Sequence, residues 1–344
     1  LLAGSCDDSD YSQRLLEKPE SDEPYKEFIC EDDVESTTTS THYLTSILRK
    51  NCLCIWDWND LSLEPRKGKI EYWCDNPILY HYGVLLADES IVTEVRQDED
   101  SPGYIVKRNL PGDIEYQRWE IRADRICQKM YNTRNGKYIV LYYKIPNSFD
   151  KHYFGIIKDQ DPEITWFLEQ LSISHSIYNV ALSEDGKYMA AVGSFNGGWI
   201  LVADTEKKAV LWKKVPYGDE VPYGPWTVNF NGACFSPDSS RIYVAGNTGL
   251  FSFETASGKI LSQWPINGRF VSVDVSPDSR WVAGGTVVPG DIYLYEAQTG
   301  KLVRNIKSGQ YTVYSVTFSP DSTLLASSGV DHTNVKIWKV PAGL

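Results

Sequence analysis

Seven cysteines and five histidines are the side chains of this 344-residue chain best suited to covalent or metal chemistry. Cys52 and Cys54 fall on one expected strand and Cys74 on the next, beyond the turn Glu64-Pro65-Arg66-Lys67-Gly68. If Asp57 and Lys69 flank that hairpin, Cys52 stands opposite Cys74. Cross-strand neighbours about 4.5–5.5 Å apart meet the separation a disulfide needs. Separate thiols, at least one of them buried, are the alternative. The Cys-x-Cys has no second Cys or His pair at zinc-ligand spacing. Cys127 and Cys234 fall on expected inner strands, as core residues. His42, His81, His152, His175 and His332 are scattered, again with no ligand spacing. No Gly-x-Ser-x-Gly elbow, phosphate-cradling loop or His-Glu-x-x-His motif occurs. The run Asp98-Glu99-Asp100 reads as a solvated hairpin tip. No catalytic residue, metal or cofactor is expected.

The elements that would carry these residues are announced by charge and by repeats. The formal net charge is −12, and residues 1–36 hold 12 acids against 3 bases, so the other 308 residues carry only −3. No basic face is available for phosphate neutralisation, which argues against a nucleic-acid partner. The uncharged stretch from Tyr188 to Ala203 contains Gly193, Asn196, Gly197 and Gly198. It reads as strand-turn-strand, because a spanning helix needs about 20 apolar residues. The chain opens Leu1-Leu2-Ala3-Gly4-Ser5-Cys6 and turns acidic at Asp7-Asp8. Apolar residues, small residues, a Cys and a polar tether together resemble the lipobox of bacterial lipoproteins. Leu2 lies four residues before Cys6, where the lipobox has three. The resemblance implies a lipidated Cys6, a tether over 1–24 and a protein facing the periplasm or exterior. An ordinary Cys in a cytoplasmic protein is the alternative.

Four segments share one pattern: Ser183-Glu184-Asp185-Gly186, Ser236-Pro237-Asp238-Ser239, Ser276-Pro277-Asp278-Ser279 and Ser319-Pro320-Asp321-Ser322. Pro fixes φ, and Asp and Ser bond nearby backbone, so each reads as a turn. Alternation such as Val271, Val273, Val275 or Tyr314, Val316, Phe318 precedes it, the mark of a strand. A strand of small residues follows, and then a third strand ends on an aromatic-acid step. Phe253-Glu254-Thr255-Ala256-Ser257-Gly258-Lys259 and Tyr295-Glu296-Ala297-Gln298-Thr299-Gly300-Lys301 are close copies, with Trp56-Asp57 and Ile337-Trp338-Lys339 as relatives. The chain resembles the WD40-repeat family, clearly over residues 175–344 and in degenerate form over the first three units. Third-strand endpoints fall at 57, 108, 159, 204, 254, 296 and 339, a spacing near the ~40–45 residues of a propeller blade.

That resemblance implies an all-β, single seven-bladed β-propeller over residues 25–344. Residues 25–33, around Tyr25-Lys26-Glu27-Phe28-Ile29-Cys30, would supply the missing outer strand and close the ring. Closure removes two exposed sheet edges. Where the family carries a Gly-His pair whose His bonds an Asp and a Trp, this chain reads Gly309-Gln310. Asp331 remains for the Asp role, and strand packing is expected to carry more of the stability.

Connections between outer and next inner strands lie, by the same resemblance, on the face used for partners. The most distinctive holds Val215-Pro216-Tyr217-Gly218 and the second copy Val221-Pro222-Tyr223-Gly224, followed by Pro225-Trp226. Tyr and Trp on a Pro-stiffened loop supply contact area at low ordering cost. Tyr217, Tyr223 and Trp226 are therefore candidate partner-binding residues, with Tyr80 and Tyr82 after the first blade and Tyr311 after the sixth. Packing over neighbouring blades is the alternative. The expected function is a non-catalytic protein-interaction scaffold in a membrane-associated complex, anchored through Cys6. An exported propeller enzyme using its central channel and a cytosolic WD40 adaptor are the other readings.

Overall fold

In a computed structural model, the residues described are 22–30, 34–40, 43–48, 52–62, 66–69, 83–86, 88–96, 103–109, 115–121, 126–144, 151–158, 161–172, 176–194, 198–215, 229–266, 268–329 and 334–342. They form 27 strands and, among the described residues, no helix. After β1 (Lys26–Ile29), the first sheet holds β2 (Val34–Thr39), β3 (Tyr43–Leu48), β4 (Cys52–Asp57) and β5 (Arg66–Lys69). The second holds β6 (Gly83–Leu85), β7 (Ile91–Arg96), β8 (Gly103–Arg108) and β9 (Glu115–Ile121). The third holds β10 (Ile126–Asn132), β11 (Tyr138–Lys144), β12 (Lys151–Lys158) and β13 (Thr165–Ser172). The fourth holds β14 (Ser176–Leu182), β15 (Tyr188–Ser194), β16 (Gly198–Asp204) and β17 (Ala209–Lys214).

The fifth sheet holds β18 (Phe230–Phe235), β19 (Arg241–Gly246), β20 (Gly249–Glu254) and β21 (Ile260–Pro265). The sixth holds β22 (Phe270–Val275), the 16-residue β23 (Trp281–Glu296) and β24 (Leu302–Thr312). Part of β23 pairs with β22 and part with β24, so this long strand fills the place of two. The seventh sheet holds β25 (Ser315–Phe318), β26 (Leu324–Ser328) and β27 (Asn334–Lys339), with β1 antiparallel to β27 as its outermost strand. Among the described residues, the strands of these seven sheets pair antiparallel, as the repeats require. Strand ends 57, 108, 204, 254, 296 and 339 match the sequence-based endpoints, and β12, the third strand of the third sheet, ends at 158 instead of 159.

The Ser-x-Asp turn explains why the inner and second strands of a sheet meet in a fixed register. In the fifth sheet Ser236 Oγ donates to Asp238 Oδ1 at 2.5 Å and accepts from Arg241 N at 2.9 Å. Asp238 Oδ1 also accepts from Ser240 N at 3.1 Å. The Ser236 hydroxyl holds the Asp238 carboxyl below its usual value. The same bonds recur at Ser183/Asp185, Ser276/Asp278 and Ser319/Asp321. A fifth copy, Thr133-Arg134-Asn135-Gly136, escapes a search for Ser and Asp, since Thr133 Oγ1 and Asn135 Oδ1 take their places at 2.7 Å.

The fourth turn position is left-handed throughout, with φ of 70° at Gly136, 71° at Gly186, 60° at Ser239 and Ser279 and 64° at Ser322. A side chain in that region costs about 1–2 kcal/mol. Exposed Ser279→Gly is accordingly expected to raise stability by about 0.5 kcal/mol in urea unfolding, part of the gain being offset by the freer unfolded chain. A loss on that substitution would show that the turn carries no strain.

Apolar side chains collect between neighbouring sheets, so the core is a series of layers. Val140, Phe154 and Phe167 of the third sheet pack on Met189, Trp199 and Leu201 of the fourth. Equivalent layers join the second and third, fourth and fifth, fifth and sixth, and sixth and seventh sheets. A further cluster joins Phe28, Ala326, Val335 and Ile337 of the seventh to Leu44, Cys54, Trp56 and Trp58 of the first. Middle strands touch a neighbour on both faces, and β16, Gly-Trp-Ile-Leu-Val-Ala-Asp, is buried along its whole length. The outer β17 is mostly exposed.

Two expectations need correction. Cys52 faces Lys69 in the hairpin register, and Ile55 faces Arg66, so Asp57 does not stand opposite Lys69. The chain turns at Asp57, whose Oδ1 accepts from Asn59 N at 2.8 Å and whose carbonyl accepts from Asp60 N at 3.1 Å. The residue opposite Cys52 is therefore Lys69, which lies earlier in the chain than Cys74. Cys74 lies outside the described residues, as does Cys6.

The second correction concerns Gly309-Gln310. Gln310 is fully buried. Trp338 Nε1 donates to Ser327 Oγ at 2.9 Å, and that hydroxyl donates to Gln310 Oε1 at 3.0 Å. Gln310 Nε2 reaches Asn334 Oδ1 at 3.3 Å. The carboxamide thus links a tryptophan and a polar side chain within the seventh sheet, the work expected of a histidine. Strand packing is not alone there. Asp331 lies outside the described residues.

Candidate functional site

The first strands of six sheets enclose one cavity of about 570 Å³: β2, β10, β14, β18, β22 and β25 all contribute to its wall. At one end the N-terminal ends of inner strands converge. Asn231 Nδ2 of the fifth sheet donates to Phe270 O of the sixth at 2.8 Å and to Asn247 Oδ1 at 3.2 Å. Asn247 Oδ1 also accepts from Arg269 Nε at 3.3 Å. Tyr178 and Tyr314 stand on this rim, 40% and 47% exposed. Large rings left in water beside a cavity are what a docking surface needs.

The other end is crossed by a network of polar bonds. Arg134, in the turn after β10, crosses to the sixth sheet and places Nη2 2.5 Å from Asp274 Oδ1 and 2.7 Å from Val275 O. Phe318 N of the seventh sheet donates to the second oxygen of Asp274 at 2.9 Å. Glu184 of the fourth sheet accepts from the backbone N–H of Arg134 and Asn135 at 3.0 and 3.3 Å. Four sheets meet through one guanidinium and two carboxylates. Cys234 lines this end of the cavity instead of lying wholly in the core, and burial pushes its thiol well above the usual value.

Cys127 is buried in the core on the inner strand β10, as expected. His152 is buried on β12, its Nδ1 2.9 Å from Tyr142 Oη. His42, His81, His175 and His332 lie outside the described residues. No group of three or more His, Cys, Asp or Glu able to hold a metal occurs among the described residues. No helix among them is long and apolar enough to cross a membrane.

Of the aromatic residues selected from sequence, Tyr311 lies near the end of β24, half-buried and three residues from Tyr314. Tyr80, Tyr82, Tyr217, Tyr223 and Trp226 lie outside the described residues. The connections carrying Tyr217, Tyr223 and Trp226 run from β17 to β18, and β18 begins beside the Asn231 rim. Tyr178, Arg269 and Arg134 were not singled out by sequence reasoning. Tyr178 and Arg269 each occupy the start of an inner strand, a position the repeat alignment could have marked. Nothing in the sequence pairs Arg134 with Asp274, 140 residues away.

Comparison with known proteins agrees with this architecture. The family model for the WD domain, G-beta repeat, matches residues 300–339, which run from the turn before β24 to the end of β27. Meiotic recombination protein rec14 of Schizosaccharomyces pombe is 26% identical over 180 residues, covering 51% of this chain and 56% of that protein. Periodic tryptophan protein 2 homolog of Dictyostelium discoideum is 24% identical over 181 residues, 51% of this chain and 18% of the relative. WD repeat-containing protein 1 of Xenopus tropicalis is 42% identical over 81 residues, 22% of this chain and 13% of the relative. The chain thus spans about half the length of the first and under a fifth of the others. The all-β sheets, the match at residues 300–339 and these relatives all support the WD40-repeat family for this chain.

Proposed function

We propose that the protein is a non-catalytic interaction scaffold whose seven sheets are the blades of one closed propeller over residues 25–344, with β1 as the closing strand. Support for the ring comes from the seam between the seventh and first sheets. Ser315 Oγ donates to Thr37 O at 2.8 Å, the hydroxyls of Thr37 and Ser328 bond one another, and Phe28 stacks on Trp56 at 4.9 Å. The observation that carries the function is the exposed pair Tyr178 and Tyr314 on the rim of a cavity walled by rigid inner strands. Rings held by a rigid support lose little freedom on binding. Tyr311 and the connections holding Tyr217, Tyr223, Trp226, Tyr80 and Tyr82 would extend this docking face.

The relatives reported are eukaryotic, which favours an adaptor working inside the cell over a bacterial envelope protein. Lipidation of Cys6 is a separate proposal, decided by the intact mass of the mature N-terminus. Affinity purification from native extract is expected to yield a stoichiometric partner with the wild-type chain. Changing Tyr178 and Tyr314 together to alanine should weaken that association about tenfold or more, since each buried aromatic anchor is worth roughly 1–2 kcal/mol. Thermal stability should stay close to wild type. A wild-type chain that purifies alone, or a double variant that binds unchanged, would sink the docking reading.

A further inference from the structure

The cavity has a charge sense opposite to that of the chain. Its wall carries Lys129, Arg134 and Arg269 against Glu184 and Asp274, in a protein of net charge −12. Both carboxylates are already engaged at the tied end, Asp274 by Arg134 and Phe318 N, Glu184 by two backbone amides. Arg269 is different. It is exposed at the open end, and among the described residues its guanidinium meets no carboxylate. Its Nε donates to Asn247 Oδ1, and Asn247 is itself held by Asn231. That bond fixes the side of the guanidinium facing the protein and leaves the two Nη groups to present a planar fork.

We propose that the mouth receives an acidic segment of a protein partner, with one partner carboxylate paired to Arg269 between Tyr178 and Tyr314. The proposal rests on the docking reading given above and adds the chemistry of the ligand. A guanidinium fork pairs a carboxylate through two parallel hydrogen bonds, and a fork already oriented loses less freedom in doing so. The chain's net negative charge, −9 of which is carried by residues 1–36, does not oppose this strongly. At physiological salt, charges more than about 8 Å away are largely screened, so the nearest cation dominates. The far end of the cavity is spanned by the Arg134–Asp274 tie, whereas Arg269 stands exposed at the near end.

The test uses the full chain and two synthetic peptides, acetyl-Gly-Ser-Glu-Asp-Glu-Ser-Gly-amide and its Gln-Asn-Gln isostere, with inorganic phosphate as a third probe. Binding is followed by chemical-shift perturbation and calorimetry. The acidic peptide is expected to bind about tenfold tighter than the isostere, and this preference should fade as salt rises. Arg269→Gln should erase the preference, Arg269→Lys should retain part of it, and Tyr178→Ala should weaken both peptides alike. Equal binding of the two peptides, still sensitive to Tyr178→Ala, would overturn the acidic ligand and leave the docking face standing. Arg269-dependent binding of phosphate without peptide binding would assign a small anion and overturn it too. If neither peptide binds while Tyr178→Ala still releases the native partner, the acidic reading fails alone. If that release also fails, both readings go.

Discussion

Trp338→Ala is expected to lower the stability of the protein by about 3–5 kcal/mol in denaturant unfolding, the range for truncating a fully buried tryptophan. Trp338 is 1% exposed and lies among Ile292, Ile306 and Phe318, between the sixth and seventh sheets. Truncation removes that packing and takes away the indole N–H that the Ser327 oxygen accepts from, leaving the hydroxyl its bond to Gln310. Buried groups left without partners add about 1–3 kcal/mol each. Ser327→Ala should therefore cost about 1–2 kcal/mol with little change in volume. A loss below about 1 kcal/mol for Trp338→Ala would show that this layer does not hold the seventh sheet in place.

Breaking the tie across the cavity should be nearly as costly. Asp274→Ala is expected to destabilise by about 3 kcal/mol, because it strands the Arg134 guanidinium and the Phe318 N–H in a largely enclosed space. The two side chains are 21% and 13% exposed, which places the effect toward the low end for buried pairs. Arg134→Ala should cost a similar amount. The double variant should lose less than the sum, because the second removal relieves the charge stranded by the first. A double-mutant cycle by urea unfolding measures this directly. Strict additivity would mean that the 2.5 Å pair contributes no coupling and that the cavity floor is held by packing alone.

How far the fold could be read in advance depended on how local its determinants are. The Ser-x-Asp turn bonds atoms within five residues, as between Ser236 and Arg241. The repeats built around it accordingly announced themselves, even to the third-strand ends at Asp57 and Glu296. The β4–β5 register was misjudged because it depended on where the chain turns after Asp57, a turn held by Asp60 N on the Asp57 carbonyl and by Asn59 N on its carboxylate. Gln310 was misjudged for another reason. Residue type suggested a broken network, whereas a buried carboxamide can accept and donate at once and so serves between Ser327 and Asn334.

The repeat, its turns and the order of strands within each sheet, from patterned first strand to exposed last strand, are written in the chain's local pattern. These follow from short-range bonding and from the period of apolar residues, which one chain segment contains in full. Only the tertiary structure decided the site. Arg134 meets Asp274 across 140 residues, and Asn231, Asn247 and Arg269 come together because adjacent sheets bring different strand ends to one rim. No local pattern encodes such a meeting, since it depends on how whole sheets are set against one another. The side chains that build this site are tyrosines, asparagines and two arginines, and their meaning lies in their neighbours.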